Sequence, residues 1–219
     1  MIDKKTQLLL DKGEALPVME AFYTIQGEGY HKGTASYFIR TGGCDVGCHW
    51  CDVKESWDEK AHPIITVKEI VKKSLDFSDC VIVTGGEPLM WNMGPLTKEL
   101  KRYNKKIHIE TSGSQPLTGD WDWICLSPKK AKLPIEDAYM YADELKIIIY
   151  NNHDFIFAEE EAKKVNKKAI LYLQPEWGKK EKMMPLMVEF VKKNPKWKIS
   201  LQTHKYLNIC LLYTSDAAD

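Results

Sequence analysis

The sequence has no excess of either charge, no long apolar run and no low-complexity linker. Its 219 residues carry 31 basic and 31 acidic side chains, so the formal net charge is zero. A balanced charge lacks the electrostatic footprint of a protein that binds nucleic acid or an anionic membrane. No apolar stretch approaches the roughly 20 residues that a membrane-spanning helix needs. We therefore expect no nucleic acid and no membrane among its partners.

The N-terminal segment 1–5 also lacks the charged-then-apolar plan of a secretory signal. The chain is too long for a small disulfide-stapled scaffold, and it shows no internal repeat. Its length suits one domain with a complete hydrophobic core. We expect a single catalytic domain over residues 1–209 that works in a reducing cytoplasm.

Three of the six cysteines fall within eight residues, as Cys44, Cys48 and Cys51 in a C-x3-C-x2-C spacing. Iron–sulfur clusters are held by cysteine thiolates, normally four of them, so three would leave one iron open to another ligand. A structural zinc site would need a fourth ligand, for which His49 is available, so zinc stays an alternative. Cys80 lies in an apolar run, as does Cys125, and both are predicted to be buried small hydrophobes.

Short apolar, β-branched runs alternate with helical patterns along the chain. The predicted strands are 36–40, 80–83, 107–110, 123–126, 145–149, 170–173 and 199–201, and the predicted helices are 66–75, 95–103, 154–165 and 184–193. The first helix opens on Thr66 and Glu69, which have the spacing of a capping box. This alternation predicts a mostly parallel sheet with helices packed outside it.

Polar side chains follow strand after strand at the carboxyl end. They include Glu87, Glu110, Lys129 and Gln174, and the cysteine segment itself follows the first predicted strand. In a barrel of parallel strands, that rim is where active sites are built. The sequence therefore predicts a site on this rim with the three cysteines opening onto it.

The cysteine spacing after the first strand, together with Gly85-Gly86-Glu87-Pro88 after the second, resembles the radical S-adenosylmethionine superfamily. The resemblance implies a [4Fe–4S] cluster held by Cys44, Cys48 and Cys51, whose open iron chelates S-adenosylmethionine. Glycines at 85 and 86 would let the backbone approach the methionine end of that cofactor closely. Glu87 or nearby carbonyls would accept from its ammonium group.

A narrower resemblance covers nearly the whole chain. The segments 22–29, 38–40, 110–113, 127–129, 174–175 and 202–208 are similar to the 7-carboxy-7-deazaguanine synthase family. The resemblance implies an α/β fold, a partial (β/α)6 TIM-type barrel that is a trimmed radical-SAM core. It implies a lyase that converts 6-carboxy-5,6,7,8-tetrahydropterin to 7-carboxy-7-deazaguanine with loss of ammonia, in queuosine biosynthesis. It further implies a homodimer and a flavodoxin-type or other one-electron reductant.

The same resemblance assigns roles to individual positions. Substrate would be bound by Ile25, Gln26, Gly27, Arg40 and Thr111, with Arg40 pairing with the substrate carboxylate, for which a guanidinium is well shaped. S-adenosylmethionine would be bound by Trp50, Asp52, Gly85, Gly86, Glu87, Gly113, Ser127, Pro128, Lys129, Gln174, Pro175, Glu176 and Trp177.

The sequence departs from the family pattern in two places. The family commonly has Thr or Ser two residues after the last cysteine, where a hydroxyl ligates Mg²⁺, but this chain has Val53. A role for Mg²⁺ by that route is in doubt, although Asp52 or a backbone carbonyl could replace the hydroxyl. The residues 210–219 resemble a translated sequencing adapter, and we expect them to be a non-native tail.

Two other functions fit part of the pattern. An activating enzyme for a glycyl-radical partner would share the cysteine segment but not the segments 26–29 and 202–208. A non-catalytic zinc-binding or iron–sulfur domain would not need polar strand ends gathered on one rim.

Overall fold

A computed structural model describes residues 3–209, which fold into one mixed α/β body. The strands are β1 (Ala15–Ile25), β2 (Ala35–Thr41), β3 (Ile64–Thr66), β4 (Cys80–Gly85), β5 (Lys106–Thr111), β6 (Trp123–Leu126), β7 (Glu144–Ile149), β8 (Ile170–Pro175) and β9 (Trp197–Ile199). The helices are α1 (Lys4–Asp11), α2 (Val67–Ser74), α3 (Gly94–Arg102), α4 (Glu136–Tyr141), α5 (His153–Ala162), α6 (Lys180–Lys193) and α7 (Thr203–Tyr206). The expected non-native tail lies outside the described residues.

The nine strands form one sheet in the order β3-β1-β2-β4-β5-β6-β7-β8-β9. The seven strands from β2 to β9, without β3, pair in parallel, whereas β1 pairs antiparallel with both β2 and β3. The predicted fold class, a partial barrel of parallel strands with outer helices, is confirmed. The last predicted strand lies two residues earlier than expected, and the antiparallel β1 and β3 were not predicted.

The helices cover the outer face of this sheet with two apolar clusters. One contains Ile39, Val83 and Ile109 of the strands, packed with residues of α2 and α3. The other contains Leu145 and Leu173 with residues of α4, α5 and α6. Since side chains alternate between the faces of a strand, the neighbours of these residues point to the inner face, where the site lies.

The predicted helices are present with shifted ends. Thr66 caps α2, and the reciprocal bonds of the capping box with Glu69 are both formed. The helix α6 begins four residues before the predicted start and accommodates Pro185 in its interior. The helices α1, α4 and α7 were not predicted, and α4 and α7 are too short to show a clear period. Along residues 3–209, no helix is both long and apolar enough to cross a membrane.

Candidate active site

The carboxyl ends of the parallel strands open onto one cavity of about 240 Å³. Its wall includes the three cysteines of the cysteine segment and side chains from five of the parallel strands, β2, β4, β5, β7 and β8. The strand residues are Phe38, Arg40, Thr84, Glu110, Thr111, Lys146, Ile148, Gln174 and Pro175. This placement matches the rim that the polar strand ends predict.

Most of the predicted site residues lie together on this cavity. They are Ile25, Gln26, Gly27, Arg40, Cys44, Cys48, Trp50, Cys51, Asp52, Gly85, Gly86, Glu87, Thr111, Ser127, Lys129, Gln174, Pro175, Glu176 and Trp177. Their assignment to substrate or cofactor stays a prediction. Their convergence from seven separate segments of sequence is an observation.

Two predicted site residues, Gly113 and Pro128, do not line the cavity. Gly113 has a φ of +72°, and a Cβ there would meet Leu126 Cδ1 at 2.4 Å and Ala138 Cβ at 2.8 Å. A glycine is required there because the turn after β5 packs against the layer behind it. Pro128 is buried between Ser127 and Lys129, which do face the cavity.

The three cysteine thiols face the cavity from a loop held by backbone bonds. The N–H of Gly43 donates to Ser56 O at 2.7 Å, and that of Cys44 donates to Trp57 O at 3.2 Å. Burial raises the pKa of the Cys44 thiol. It also raises the pKa of Cys48, although the nearby Lys129 ammonium opposes the shift there. A metal that binds thiolates would therefore displace protons from this loop.

The donor set fits a cluster better than a single ion. All three thiols are free and half-buried. Among residues 3–209, no three His, Cys, Asp or Glu side chains are grouped to hold one metal ion. A mononuclear zinc site needs four donors around one point, whereas the irons of a cluster each take their own thiolate.

The glycine pair after β4 packs directly on the cysteine loop. A Cβ on Gly86 would lie 2.2 Å from Gly43 O. Gly85 has a φ of +149°, and a Cβ there would lie 2.4 Å from Thr41 O. The N–H of Glu87 then donates to Gly43 O at 2.8 Å, which locks the turn against the loop. Only glycine permits this approach of two backbones.

Glu87 is almost fully buried, and its carboxylate joins the ends of two strands. It accepts from Thr111 Oγ1 at 2.5 Å, from Ser112 N at 2.8 Å, from Ser112 Oγ at 2.5 Å and from Leu89 N at 3.1 Å. These four protein donors already occupy the carboxylate. Its clearest role in the structure is to position Thr111 at the cavity wall.

Lys129 presents a half-buried ammonium group near the cysteines. Its Nζ donates to Ser127 O at 2.5 Å and to Ser127 Oγ at 2.7 Å, and it lies 5.9 Å from the centre of the Trp50 ring. Burial lowers the pKa of Lys129, while the Cys48 thiol acts in the opposite direction. The Lys129 ammonium therefore places a positive charge near the Cys48 thiol.

The cavity wall also contains a network of largely buried charges. Lys146 Nζ bonds Glu28 Oε2 and lies 3.9 Å from Glu110 Oε2. Gln26 Nε2 donates to Glu110 Oε1 at 2.8 Å. Burial alone would raise the pKa of Glu28, but the adjacent Lys146 ammonium lowers that pKa to about 2. Glu28 is therefore an ionised acceptor at neutral pH.

The segment from Gln26 to Tyr30 is held onto this network from two sides. A Cβ on Gly27 would lie 2.2 Å from His204 Nδ1, and Gly27 O accepts from Thr203 N at 2.9 Å. Tyr30 N donates to Glu144 Oε2 at 3.0 Å. The segments 22–29 and 202–208 both resemble the same family, and in the structure they contact each other.

Arg40 enters the cavity as one half of a buried ion pair. Its Nε donates to Glu20 Oε1 at 2.7 Å, and the side chains of Arg40 and Glu20 are 9% and 6% exposed. The sequence analysis missed Glu20, and it gave no specific role to Glu28, Glu110, Lys146 or His204, although Glu110 was among the polar strand ends that predict the site. Alternation along the strands identifies Glu110 and Lys146 once one inner-face residue is known.

Val53 lies on the cavity wall and is buried. The adjacent Asp52 has Lys205 Nζ at 3.3 Å and Gln202 Nε2 at 3.4 Å from its Oδ2. The position that carries a hydroxyl in the family pattern is therefore apolar here, and the neighbouring carboxylate already has protein partners.

Comparisons with known proteins agree with this geometry. The family model described as Radical SAM superfamily matches residues 38–126. A 7-carboxy-7-deazaguanine synthase of Flavobacterium psychrophilum is 64% identical over 209 residues, which are 95% of this chain and all of that protein. One from Synechocystis sp. is 47% identical over 194 residues, or 88% of this chain and 93% of that protein.

A solved structure also matches. The crystal structure of QueE from Escherichia coli superposes with a TM-score of 0.79 at 26% identity, covering 92% of this chain and all of the other.

Proposed function

Because the chain belongs to the 7-carboxy-7-deazaguanine synthase family of radical SAM enzymes, we propose that it converts 6-carboxy-5,6,7,8-tetrahydropterin to 7-carboxy-7-deazaguanine. The atoms balance when one molecule of ammonia leaves for each product formed. The reaction is a carbon–nitrogen lyase step in queuosine biosynthesis.

The observation that carries this proposal is that one cavity is lined by two chemically different sets of side chains. One set is Cys44, Cys48 and Cys51, and the other is Arg40 with the Glu28–Lys146–Glu110 network. A substrate with a carboxylate and several N–H groups complements the second set. The guanidinium binds the carboxylate, and Glu28 and Glu110 accept from the N–H groups.

The thiols of Cys44, Cys48 and Cys51 would hold a [4Fe–4S] cluster at the cavity wall. When bound, the cluster and S-adenosylmethionine supply radical chemistry that no protein side chain provides. The Gly85–Gly86 turn, Ser127 with Lys129, and the segment from Gln174 to Trp177 would bind S-adenosylmethionine between the cysteines and the substrate. Their common cavity supports that arrangement.

The chain's own residues bind and orient the pterin. Arg40 fixes the carboxylate, Gln26 and Thr111 contact the ring, and Ile25 with Gly27 borders it. Glu28 and Glu110 accept N–H bonds and keep negative charge beside the ring while nitrogen leaves as ammonia. These roles restrict the substrate to one orientation relative to the three cysteines. A fixed orientation of the reactants increases the reaction rate.

The expected partners and the expected role of Mg²⁺ are inferred from membership of the same family. We infer a homodimer, a flavodoxin-type or other one-electron reductant, and a reducing cytoplasm as the setting. Mg²⁺ through residue 53 is disfavoured because Val53 offers no oxygen.

The direct test is anaerobic incubation of the iron–sulfur-reconstituted protein with S-adenosylmethionine, a reductant and 6-carboxy-5,6,7,8-tetrahydropterin. Mass spectrometry should find 7-carboxy-7-deazaguanine, and omission of S-adenosylmethionine should abolish it. A protein that cleaves S-adenosylmethionine but leaves the pterin intact would favour the activating-enzyme alternative. A protein that binds metal and cleaves nothing would favour a non-catalytic domain.

A further inference from the structure

The strand β1 contains an irregularity that changes which face its side chains take. Val18 pairs with Thr41, but Glu20 pairs with Arg40 and Ala21 with Ile39, so one extra residue, Met19, is inserted between the two pairs. Such a β-bulge re-aims the side chains that follow it and is common beside active sites.

Because of this bulge, the residues after Met19 have their side chains on the face of the sheet opposite to the one they would take in a regular strand. Val18 packs in the outer apolar cluster, and so does Ala21, although the two are three positions apart and would lie on opposite faces of a regular strand. In a regular strand Glu20 would share the outer face with Val18. The bulge instead turns Glu20 to the inner face, directly opposite Arg40.

The pair that results is buried and asymmetric. Glu20 Oε1 accepts from Arg40 Nε at 2.7 Å, whereas Glu20 Oε2 is buried with no hydrogen-bond partner among the described residues. A carboxylate left half-satisfied in the interior costs stability, so the pair is poor evidence of a purely structural role.

The bond to Nε engages only one edge of the guanidinium. Within residues 3–209, Glu20 is the only side chain that pairs with Arg40. The edge formed by the two terminal nitrogens, which can bind a carboxylate with two parallel bonds, is therefore left for a ligand. The cavity wall also carries the carboxylates of Glu28 and Glu110, which would compete for an arginine that was free to swing.

We propose that Glu20 is a positioning residue for substrate recognition, which the bulge in β1 turns inward to hold Arg40 by its Nε and aim the two terminal nitrogens at the substrate carboxylate. This proposal rests on the proposed function, because it assumes that Arg40 binds that carboxylate. Glu20 contributes a hydrogen-bond acceptor in a fixed place rather than a charge.

The test compares Glu20→Gln, which keeps an acceptor for Nε, with Glu20→Met, which has similar size and none. The reconstituted holoenzyme with S-adenosylmethionine is titrated anaerobically with 6-carboxypterin and with pterin, which lacks the carboxylate. Glu99→Met serves as the matched control, because Glu99 pairs with Arg102 on the surface.

We expect Glu20→Met to weaken the binding of 6-carboxypterin by about tenfold and to leave the binding of pterin unchanged. The affinity of Glu20→Gln for 6-carboxypterin should stay within about threefold of wild type. In an Arg40→Ala background, Glu20→Met should cost nothing further. The Michaelis constant for the tetrahydropterin should rise with little change in kcat.

Three results would overturn the proposal. Equal weakening by Gln and Met would mean that the charge matters and the acceptor does not. Unchanged or tighter 6-carboxypterin binding in Glu20→Met would remove the positioning role. Loss of pterin binding in parallel would indicate a general structural defect. A wild type that binds the two pterins equally would instead refute the role of Arg40 in the proposed function.

Discussion

Cysteine residues in this chain differ in what surrounds them. Cys48 faces the cavity together with Cys44 and Cys51, whereas Cys80 is buried with its Sγ 3.7 Å from His108 Nδ1. We predict that Cys48→Ala abolishes both iron retention and S-adenosylmethionine cleavage. Cys80→Ala should keep the iron and lose about 1 kcal/mol of stability, as a small core truncation does. Iron analysis of the two anaerobically reconstituted variants decides this, and a full iron content in Cys48→Ala would contradict the cluster assignment.

The ion pair between Lys146 and Glu28 makes a contribution to the stability of the fold that depends on pH. The Lys146 ammonium lowers the pKa of Glu28 to about 2, so the pair stabilises the fold above the ordinary glutamate range and loses that effect as pH falls toward 2. Lys146→Met leaves a buried carboxylate without its partner, and burial then raises the pKa of Glu28.

We therefore expect Lys146→Met to lose about 3–5 kcal/mol of unfolding free energy at pH 7 and clearly less at pH 5, where Glu28 can become neutral. Urea denaturation at the two pH values measures the difference. Lys192→Met is the control, because Lys192 pairs with Glu189 on the surface and should change stability by less than about 1 kcal/mol. An equal loss at both pH values would show that Glu28 is not the group responsible.

Val53 sets the expected response to magnesium. The buried valine has no oxygen for a hard cation, and Asp52 is engaged by Lys205 and Gln202. Wild-type turnover should therefore respond only weakly to added Mg²⁺, and Val53→Thr should respond more strongly. Titration of Mg²⁺ into both proteins, with EDTA-treated samples as the baseline, makes the comparison. The same strong dependence in both would mean that other groups hold the ion.

At the level of elements, the turn after β4 and the cysteine loop act as one unit, because Gly86 lies against Gly43 O. We expect Gly86→Ala to push the two segments apart and to weaken the binding of S-adenosylmethionine by about tenfold, or ~1.4 kcal/mol. In Gly94→Ala the nearest atom to the new methyl group is Asn92 Oδ1 at 3.1 Å, on a side chain that can move, so binding should be preserved. Equilibrium dialysis tests both, and normal binding by Gly86→Ala would show that the close approach is not needed.

Elements with strong periodicity could be predicted from the sequence, and elements defined by their partners could not. The helix α2 has a capping box and regular apolar spacing, so its start is correct to one residue. By contrast, β3 has three half-buried residues and exists because it pairs with β1. The bulge in β1 depends on pairing with β2 and leaves no local signal, which is why Glu20 could not be identified from sequence.

At the scale of the whole molecule, motif and topology together gave the candidate site. The cysteine spacing and the polar strand ends were enough to place most site residues on one rim. The sequence could not show which of these residues reach the cavity and which are buried behind its wall. Gly113 lies behind the wall, and Glu87 is turned toward Thr111 and Ser112, because packing of neighbouring strands decides which groups reach the cavity.

The central claim is that one cavity holds cluster, S-adenosylmethionine and pterin side by side. The most direct measurement is a crystal structure of the reconstituted protein, grown anaerobically with S-adenosylmethionine and 6-carboxypterin. We predict a four-iron cluster on Cys44, Cys48 and Cys51, and the pterin carboxylate on the terminal nitrogens of Arg40, with its ring beside Gln26. A pterin bound outside this cavity, or one whose carboxylate points away from Arg40, would contradict the account.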